Sequence, residues 1–255
     1  MSVKATLVAF YGKKPKKIAD FLNNLKKNLL NKLTDSFMPY DLQQIHATIV
    51  GIEGVLYKNM IINKNYQKLR HKYLSMNLAG FFEYIRTAGV FPIPIQIGGF
   101  SKDVDYNFYS RGKHPFYRSF NVQADLPIII GWPFKDDVKD SLSQLRKEVE
   151  QFNILHKYHH KLEDRDNDLY FVLGKIKGNF INKNRINYIE QNIKHALATM
   201  EPIRLELKRD DLSLVFYNES SLPMNTSLSI KITSDEFNYH DLSRYYQDFE
   251  LLHVN

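Results

Sequence analysis

The sequence predicts an α+β fold built from two similar lobes packed into one body. Strand-like and helix-like hydrophobic patterns alternate along the chain, and the order strand–helix–strand–helix–strand occurs twice. No linker rich in Gly, Ser or Pro separates the two series, which favours one body over two independent domains.

The first series occupies about residues 1–100 and forms the predicted first lobe. Apolar residues that recur every three or four positions indicate its helices, and short runs of apolar and β-branched residues indicate its strands. In order, the elements are a strand over 3–10, a helix over 15–33, a strand over 44–52, a helix over 64–87 and a strand over 92–98.

The second series follows a basic, aromatic loop over 101–118 and forms the predicted second lobe, 119–232. In order, its elements are a strand over 121–132, a helix from Asp136 or Asp137 to Phe152, a strand over 168–176, a helix over 184–200, and strands over 203–208, 212–217 and 227–232. Residues 1–232 thus form a single bilobal domain, and a helical tail is predicted over 233–255.

The composition excludes several classes of function. The chain has 255 residues and no cysteine, which excludes disulfides and thiolate chemistry, and its net charge of +7 favours anionic partners. Neither a bilayer-spanning apolar stretch nor a signal-peptide pattern occurs, so we expect a cytoplasmic protein with no membrane partner. No cofactor-binding motif is recognisable, and we expect no cofactor.

The strand over 44–52 carries the motif His46-Ala47-Thr48-Ile49. Because residues two apart on a strand point to the same face, the His46 imidazole and the Thr48 hydroxyl are expected to lie side by side. A neutral imidazole can take a proton from a hydroxyl or water, and a hydroxyl can donate to a phosphoryl oxygen. Alternatively, His46 is a hydrogen-bonded histidine on a half-buried strand.

This motif and the order of elements resemble the two-histidine (2H) phosphoesterase superfamily, which includes the LigT-like RNA 2′,3′-cyclic phosphodiesterases. Residues 211–220 also resemble the family's strand that leads into a Tyr-Glu-Ser-like turn, and 227–232 matches the closing strand. The resemblance implies a bilobal fold around a central cleft, to which each lobe supplies one His-x-Thr/Ser strand. It also implies a reaction between two histidines that needs no metal.

The second lobe does not supply the second histidine. Aligning Leu173-Gly174-Lys175 with the family's usual continuation puts Tyr170 at the histidine position and Val172 at the threonine position. A shift of two residues puts Asp168 and Tyr170 there instead, and aligning Gly174 with Gly51 gives Leu169 and Phe171. Since no alignment recovers a histidine, the sequence predicts a 2H-like protein whose second motif is lost.

The loop over 101–118 is a second candidate for ligand binding. The segment 110–119, at the end of this loop, contains Ser110, Arg111, His114 and Arg118, and aromatic residues flank these side chains. Guanidinium groups match phosphate oxygens and aromatic rings stack on bases, so the four residues are predicted to bind the substrate. The alternative is a loop that packs on the protein while its cations remain in solvent.

The run His156-Lys157-Tyr158-His159-His160 is the remaining candidate cluster. His156 and His160 have the i,i+4 spacing of helical metal ligands, but no carboxylate stands at a recognisable zinc spacing. We therefore expect no metal site and a basic rim beside the cleft.

Two functional hypotheses follow, and a third is weaker. The first is a metal-independent phosphodiesterase that acts on a cyclic or nucleotidyl phosphodiester of a nucleotide or RNA end. In this hypothesis His46 acts as the base or the acid, and the Thr48 hydroxyl donates a hydrogen bond to the phosphate. Tyr170 is the proton donor in place of the missing histidine. The second is a catalytically degenerate module that binds nucleotides or RNA. The third is a cleft used for another reaction or for a protein partner.

Overall fold

A computed structural model describes residues 2–58, 60–134, 139–161, 163–177, 182–234, 242, 245 and 246. The helices within them are α1 (Lys16–Leu33), α2 (Lys64–Arg70), α3 (Leu78–Thr87), α4 (Pro115–Arg118), α5 (Ser141–Glu148) and α6 (Lys183–Thr199). The strands are β1 (Ser2–Val3), β2 (Ala5–Ala9), β3 (Phe37–Pro39), β4 (Ala47–Gly51), β5 (Gly54–Tyr57), β6 (Met60–Asn63), β7 (Ile93–Ile97), β8 (Phe120–Gln123), β9 (Leu126–Pro133), β10 (Leu169–Val172), β11 (Gly174–Ile176), β12 (Ile203–Leu207), β13 (Leu212–Tyr217) and β14 (Ser227–Lys231).

The predicted α+β class is confirmed. The main sheet is antiparallel, with the strand order β12-β7-β9-β10-β4-β2-β13-β14 and with β8 paired to β9. Early and late strands are interleaved in it: β13 and β14 lie beside β2, whereas β7 lies between β12 and β9. A division of the chain near residue 100 therefore does not coincide with a division of this sheet. Two small sheets, β1-β5-β6 and β3-β11, complete the β structure of the described residues.

Helix α1 shows why the hydrophobic pattern predicted its position well. It begins after Pro15, whose fixed φ suits a helix start, and it runs to Leu33. Its buried residues recur every three or four positions and form one stripe that joins the main core. They are Ile18, Leu22, Leu25, Leu29 and Leu33.

The predicted helix over 64–87 is wrong as a single element. The structure has two helices, α2 and α3, because the chain takes a left-handed conformation at His71, with φ +54°. After this residue Ser75 forms a β-bridge with Ile62, which draws the connection back onto β6. The hairpin β5–β6 just before α2 was not predicted either.

Two predicted strands are also divided. The strand over 121–132 is the hairpin β8–β9, which turns at Ala124 with φ +58°. The strand over 168–176 breaks before Gly174, and β11 leaves the main sheet to pair with β3. A Cβ atom at Gly174 would lie 2.3 Å from the Met38 carbonyl oxygen, so this close crossing requires glycine.

The other late elements lie close to their predicted positions. Helix α5 begins at Ser141, and the predicted start at Asp136 or Asp137 lies outside the described residues. Most of the predicted tail helix also lies outside them, although Leu242, Tyr245 and Tyr246 are described as helical. The Tyr246 hydroxyl donates to the Ile52 carbonyl oxygen at 2.6 Å, so this part of the tail packs behind β4. Among the described helices, none combines the length and apolar composition needed to cross a bilayer.

Strands β4 and β10 are neighbours at the centre of the sheet, as expected for strands that carry corresponding motifs. They pair at a single position, Ala47 opposite Phe171. Beyond it the guanidinium of Arg146, on α5, replaces the missing ladder hydrogen bonds. It donates to the carbonyl oxygens of Thr48, Ile49 and Asp166 at 2.8 Å each, and to that of Asp168 at 3.2 Å. Arg146 is only 1% exposed, so it acts as a buried clamp between the two strands.

We expect Arg146→Met to destabilise the fold by about 3–5 kcal/mol, because it removes four hydrogen bonds to backbone carbonyl groups and one ion pair of the buried Asp166 carboxylate. Urea denaturation followed by circular dichroism measures this loss. The matched control is Arg165→Met, since Arg165 is exposed and makes one surface ion pair, with Asp140. It should change the unfolding free energy by less than about 1 kcal/mol. Equal effects of both substitutions would contradict the clamp.

Candidate active site

A cavity of about 1140 Å³ lies over one face of the main sheet. Its floor is formed by side chains of the central strands, and its walls by the loops that follow β3, β8 and β13 and by the segment before β10. The floor residues include His46, Thr6, Thr48, Ile128, Tyr170, Val172 and Tyr217, and the wall residues include Tyr40, Asp125, Lys157, Tyr158 and Glu219. The predicted catalytic residues His46, Thr48 and Tyr170 therefore share one cavity.

The pairing of β4 with β10 explains why these side chains converge. Ala47 and Phe171 are opposed and fully buried in the core, on the far face of the sheet. The residues one position away on each strand must therefore point into the cavity. These are His46, just before β4, and Thr48 on β4, and Tyr170 and Val172 on β10.

The same pairing relates the two motifs geometrically. Antiparallel strands are exchanged by a two-fold rotation about the midpoint of an opposed pair. At the Ala47–Phe171 pair, this rotation exchanges His46 with Tyr170 and Thr48 with Val172. This rotation agrees with the first of the three sequence alignments, which puts Tyr170 at the position of the second histidine and Val172 at the position of the threonine.

His46 is held as a neutral imidazole with one nitrogen free. Its Nδ1 lies 2.8 Å from the Gln44 carbonyl oxygen, and since a carbonyl only accepts, Nδ1 carries the proton. Burial lowers the pKa of His46 to about 4; the hydrogen bond to Gln44 opposes this effect, and nearby Lys14 adds to it. In the described part of the chain, Nε2 has no hydrogen-bond partner. His46 can therefore accept a proton at Nε2.

Tyr170 has the opposite character. Burial raises its pKa, and this effect outweighs the attraction of the Lys157 ammonium, which donates to the Tyr170 hydroxyl at 3.2 Å. The phenol therefore stays protonated, and its own hydrogen is free to donate into the cavity. Tyr170 and His46 are thus a proton donor and a proton acceptor on neighbouring strands.

The cavity also offers donors for an anion. The Thr48 hydroxyl has no protein partner among the described residues, and its carbonyl oxygen is held by Arg146. Lys175 is paired with Asp125 at 3.4 Å. By contrast, Lys4 and Lys157 form no ion pair with any carboxylate that the structure describes. Two lysines can therefore give their charge to a ligand.

The basic loop is placed elsewhere. Ser110, Arg111, His114 and Arg118 do not line the cavity. Arg118 pairs with the buried Asp168 at 2.6 Å, and Ser110 donates to the same carboxylate at 2.6 Å. His114 caps the short helix α4 by accepting from the Phe116 amide, and its other nitrogen contacts the Val104 carbonyl oxygen. The four residues thus lie outside this cavity and make ion pairs and hydrogen bonds within the protein, and their role in substrate binding stays a prediction.

The arginines of this loop form ion pairs with Asp166 and Asp168, two carboxylates that the sequence pattern did not indicate as binding residues. Burial raises the pKa of Asp166, but Arg146, a hydrogen bond from His156 and Arg111 outweigh it and lower the pKa well below its usual range. Both aspartates are almost fully buried, and three arginines, Arg111, Arg118 and Arg146, lie within ion-pair distance of them. The cluster therefore carries a surplus positive charge.

The run His156–His160 does not form the helical metal site that the spacing of His156 and His160 would allow. His156 Nε2 donates to Asp166 at 2.8 Å, whereas His160 is exposed. Within the described ranges, no group of three or more His, Asp or Glu side chains has an arrangement that could hold a metal ion. The run contributes Lys157 and Tyr158 to the cavity wall, where a basic rim beside the cleft was expected, although neither residue was named as a catalytic or substrate-binding residue.

Comparisons with known proteins give weak similarities. No family model matches the chain, and no curated protein matches it. Among solved structures, TT0787 of Thermus thermophilus has a TM-score of 0.42 at 10% identity, over 89% of this chain and 93% of that chain. ATU0111, a conserved protein of unknown function from Agrobacterium tumefaciens, has a TM-score of 0.37 at 9% identity, over 81% of each chain. At these TM-scores neither similarity identifies a function.

We expect the stability of the protein to fall as the pH is lowered from about 6.5 to about 4. In this window an unfolded chain binds a proton at His46, whose reference pKa is 6.5, but the folded chain does not, because its His46 pKa is about 4. Burial also lowers the pKa of His156, to about 3, and that of His159. Each such histidine contributes a slope of up to about 1.4 kcal/mol per pH unit. Urea denaturation at several pH values should show a shallower slope for His46→Gln; an unchanged slope would contradict the buried neutral state.

Proposed function

We propose that the chain is a metal-independent phosphodiesterase-like protein related to the two-histidine phosphoesterases, in which Tyr170 takes the place of the second histidine. Its substrate is a cyclic or nucleotidyl phosphodiester, from a nucleotide or an RNA end. The observation that carries the proposal is the convergence of His46, Thr48 and Tyr170 in one cavity, with His46 and Tyr170 exchanged by the rotation that relates β4 and β10.

The order of the sheet supports the bilobal arrangement that this proposal includes. Beyond the central β4–β10 pair, β2, β13 and β14 follow on one side, and β9, β7 and β12 on the other. Three strands on each side are what a two-fold relation about the central pair requires. A cavity over that pair is the location expected for a cleft shared by two lobes.

His46 acts as the base in the proposed reaction. A water molecule attacks the phosphorus of a 2′,3′-cyclic phosphate, and His46 Nε2 takes its proton as the new P–O bond forms. The hydrogen bond from Nδ1 to Gln44 holds the ring in the tautomer that this step requires. The remaining hydrogen and oxygen of the water become the hydroxyl group of the phosphomonoester product.

Tyr170 acts as the acid. As the P–O bond to the 2′ or 3′ oxygen breaks, its hydroxyl donates a proton to the leaving oxygen, and Lys157 stabilises the phenolate that results. The Thr48 hydroxyl donates to a non-bridging phosphoryl oxygen. Proton exchange with solvent then returns His46 and Tyr170 to their starting states, so the scheme uses side chains alone.

One observation favours binding without turnover. A base works best when its pKa lies near the working pH, and the pKa of His46, at about 4, lies well below neutrality. The phenol of Tyr170 is likewise a weaker acid than an imidazolium. The second candidate function is therefore a module of the same fold that binds a nucleotide or RNA phosphodiester and does not cleave it.

We expect the purified protein, in the presence of EDTA, to open 2′,3′-cyclic nucleotides. His46→Ala should lower the turnover rate by about 10²–10⁴-fold, since it removes the proton acceptor, and Tyr170→Phe should lower it by a similar factor, since it removes the donor. Chromatographic measurement of the 2′- and 3′-monophosphate products gives the rates.

The matched controls are His195→Ala and Tyr188→Phe. Both residues are on α6, outside the cavity, and His195 Nδ1 also contacts a backbone carbonyl oxygen, that of Gln191. Their activities should equal that of the unmodified chain. Binding of 2′,3′-cyclic nucleotides without any turnover would replace the enzyme with the binding module, and absence of both would rule out these ligands.

A further inference from the structure

Arg111 lies outside the cavity, in a turn that arginine rarely occupies. Ser110 and Lys113 exchange backbone hydrogen bonds of 2.9 and 3.0 Å, and the two residues between them have positive φ, +47° at Arg111 and +71° at Gly112. These features are typical of a type I′ turn, whose first central position favours Asn, Asp or Gly. Because arginine is an unfavourable choice for this backbone, its side chain must supply a compensating contact.

One side of the Arg111 guanidinium is held by the buried carboxylates. Its Nε lies 3.4 Å from Asp168 Oδ2, and its Nη2 lies 3.7 Å from Asp166 Oδ2. The two aspartates are themselves fixed by Arg118 and Arg146, and Asp168 also accepts from the Trp132 indole at 2.8 Å. The position of the guanidinium is therefore set by the protein interior.

The other side of the guanidinium stacks on Tyr158, which belongs to the cavity wall. Its Cζ is 3.7 Å from the centre of the Tyr158 ring, a close stacking distance for a cation on an aromatic ring. Lys157 Nζ lies 4.7 Å from the centre of the same ring and 3.2 Å from the Tyr170 hydroxyl. A chain of contacts thus runs from the buried aspartates through Arg111 and Tyr158 to the ammonium of Lys157.

We propose that Arg111 is a positioning residue, which holds Tyr158 so that Lys157 Nζ stays beside the Tyr170 hydroxyl and binds the phosphoryl group of the ligand. The proposal rests on the proposed function for the nature of that ligand. A free lysine side chain has many rotamers, and ordering it before the ligand arrives reduces the entropy lost on binding. Arg111 does not line the cavity, so it acts through Tyr158 and not by contact with the ligand.

The first test is a double-mutant cycle on the affinity for 2′,3′-cyclic AMP, measured by calorimetry. Arg111→Asn suits the turn, so a loss cannot come from backbone damage, and we expect affinity to fall about tenfold. Tyr158→Phe keeps the ring but removes the hydroxyl, which interacts with both Lys157 and Arg111, and we expect a similar fall. The double variant should bind as weakly as either single variant, because both break one chain of contacts. Additive losses would overturn the proposal by indicating that Arg111 acts independently of Tyr158.

The second test does not depend on any ligand. Burial raises the pKa of Tyr158, but Lys157 and Arg111 outweigh it, so the net pKa is lowered. In protein carrying ¹³C-labelled tyrosine, the Tyr158 signal, assigned by its loss in Tyr158→Phe, should titrate at higher pH in Arg111→Asn. The matched variant Arg118→Asn loses an ion pair with the same Asp168 but no contact with Tyr158. In this variant the pKa of Tyr158 should stay unchanged. An unchanged Tyr158 titration in Arg111→Asn overturns the positioning role. If the unmodified chain binds no cyclic nucleotide, the proposed function fails for this ligand, and the titration still decides the role of Arg111.

Discussion

The arrangement of the site depends on one buried side chain, Arg146. Strands β4 and β10 pair at only one position, so the backbone ladder alone holds them weakly together. The planar guanidinium bridges the gap, since its donors reach two carbonyl oxygens on the β4 side and two on the β10 side. Lysine has neither the planar fork nor enough fixed donors for this role. The relative position of His46 and Tyr170 follows from this clamp.

The guanidinium brings a charge into the interior, and the neighbouring residues balance it. Asp166 pairs with Arg146 and Arg111, and the adjacent Asp168 pairs with Arg111 and Arg118. The basic loop is therefore ordered by the same counter-charges that stabilise the clamp in a medium of low dielectric. Because three cations share two anions, positive charge remains next to the cavity wall and favours an anionic ligand. Burial raises the pKa of Tyr158, but Lys157 and then Arg111 outweigh this effect and lower it.

Burial gives His46 and Tyr170 their opposite characters. A charged form is costly away from water, so burial keeps His46 deprotonated and Tyr170 protonated. The two residues occupy corresponding positions on neighbouring strands, yet one is an acceptor and the other a donor.

The sequence by itself determined the α+β class, the positions of α1, α6 and most strands, and the orientation of His46 beside Thr48, because hydrophobic periodicity and strand alternation are local properties. It did not reveal the break at His71 or the turn at Ala124, since non-glycine residues with positive φ leave little trace in composition. Only the tertiary structure decided which residues of β10 lie across from β4, because the register of two strands is set by their pairing and not by either strand alone. It also decided that Arg111 and Arg118 serve the protein's own aspartates. The charge of an arginine is visible in a sequence, but its partner, which for Arg118 lies 50 residues away, is chosen by the fold.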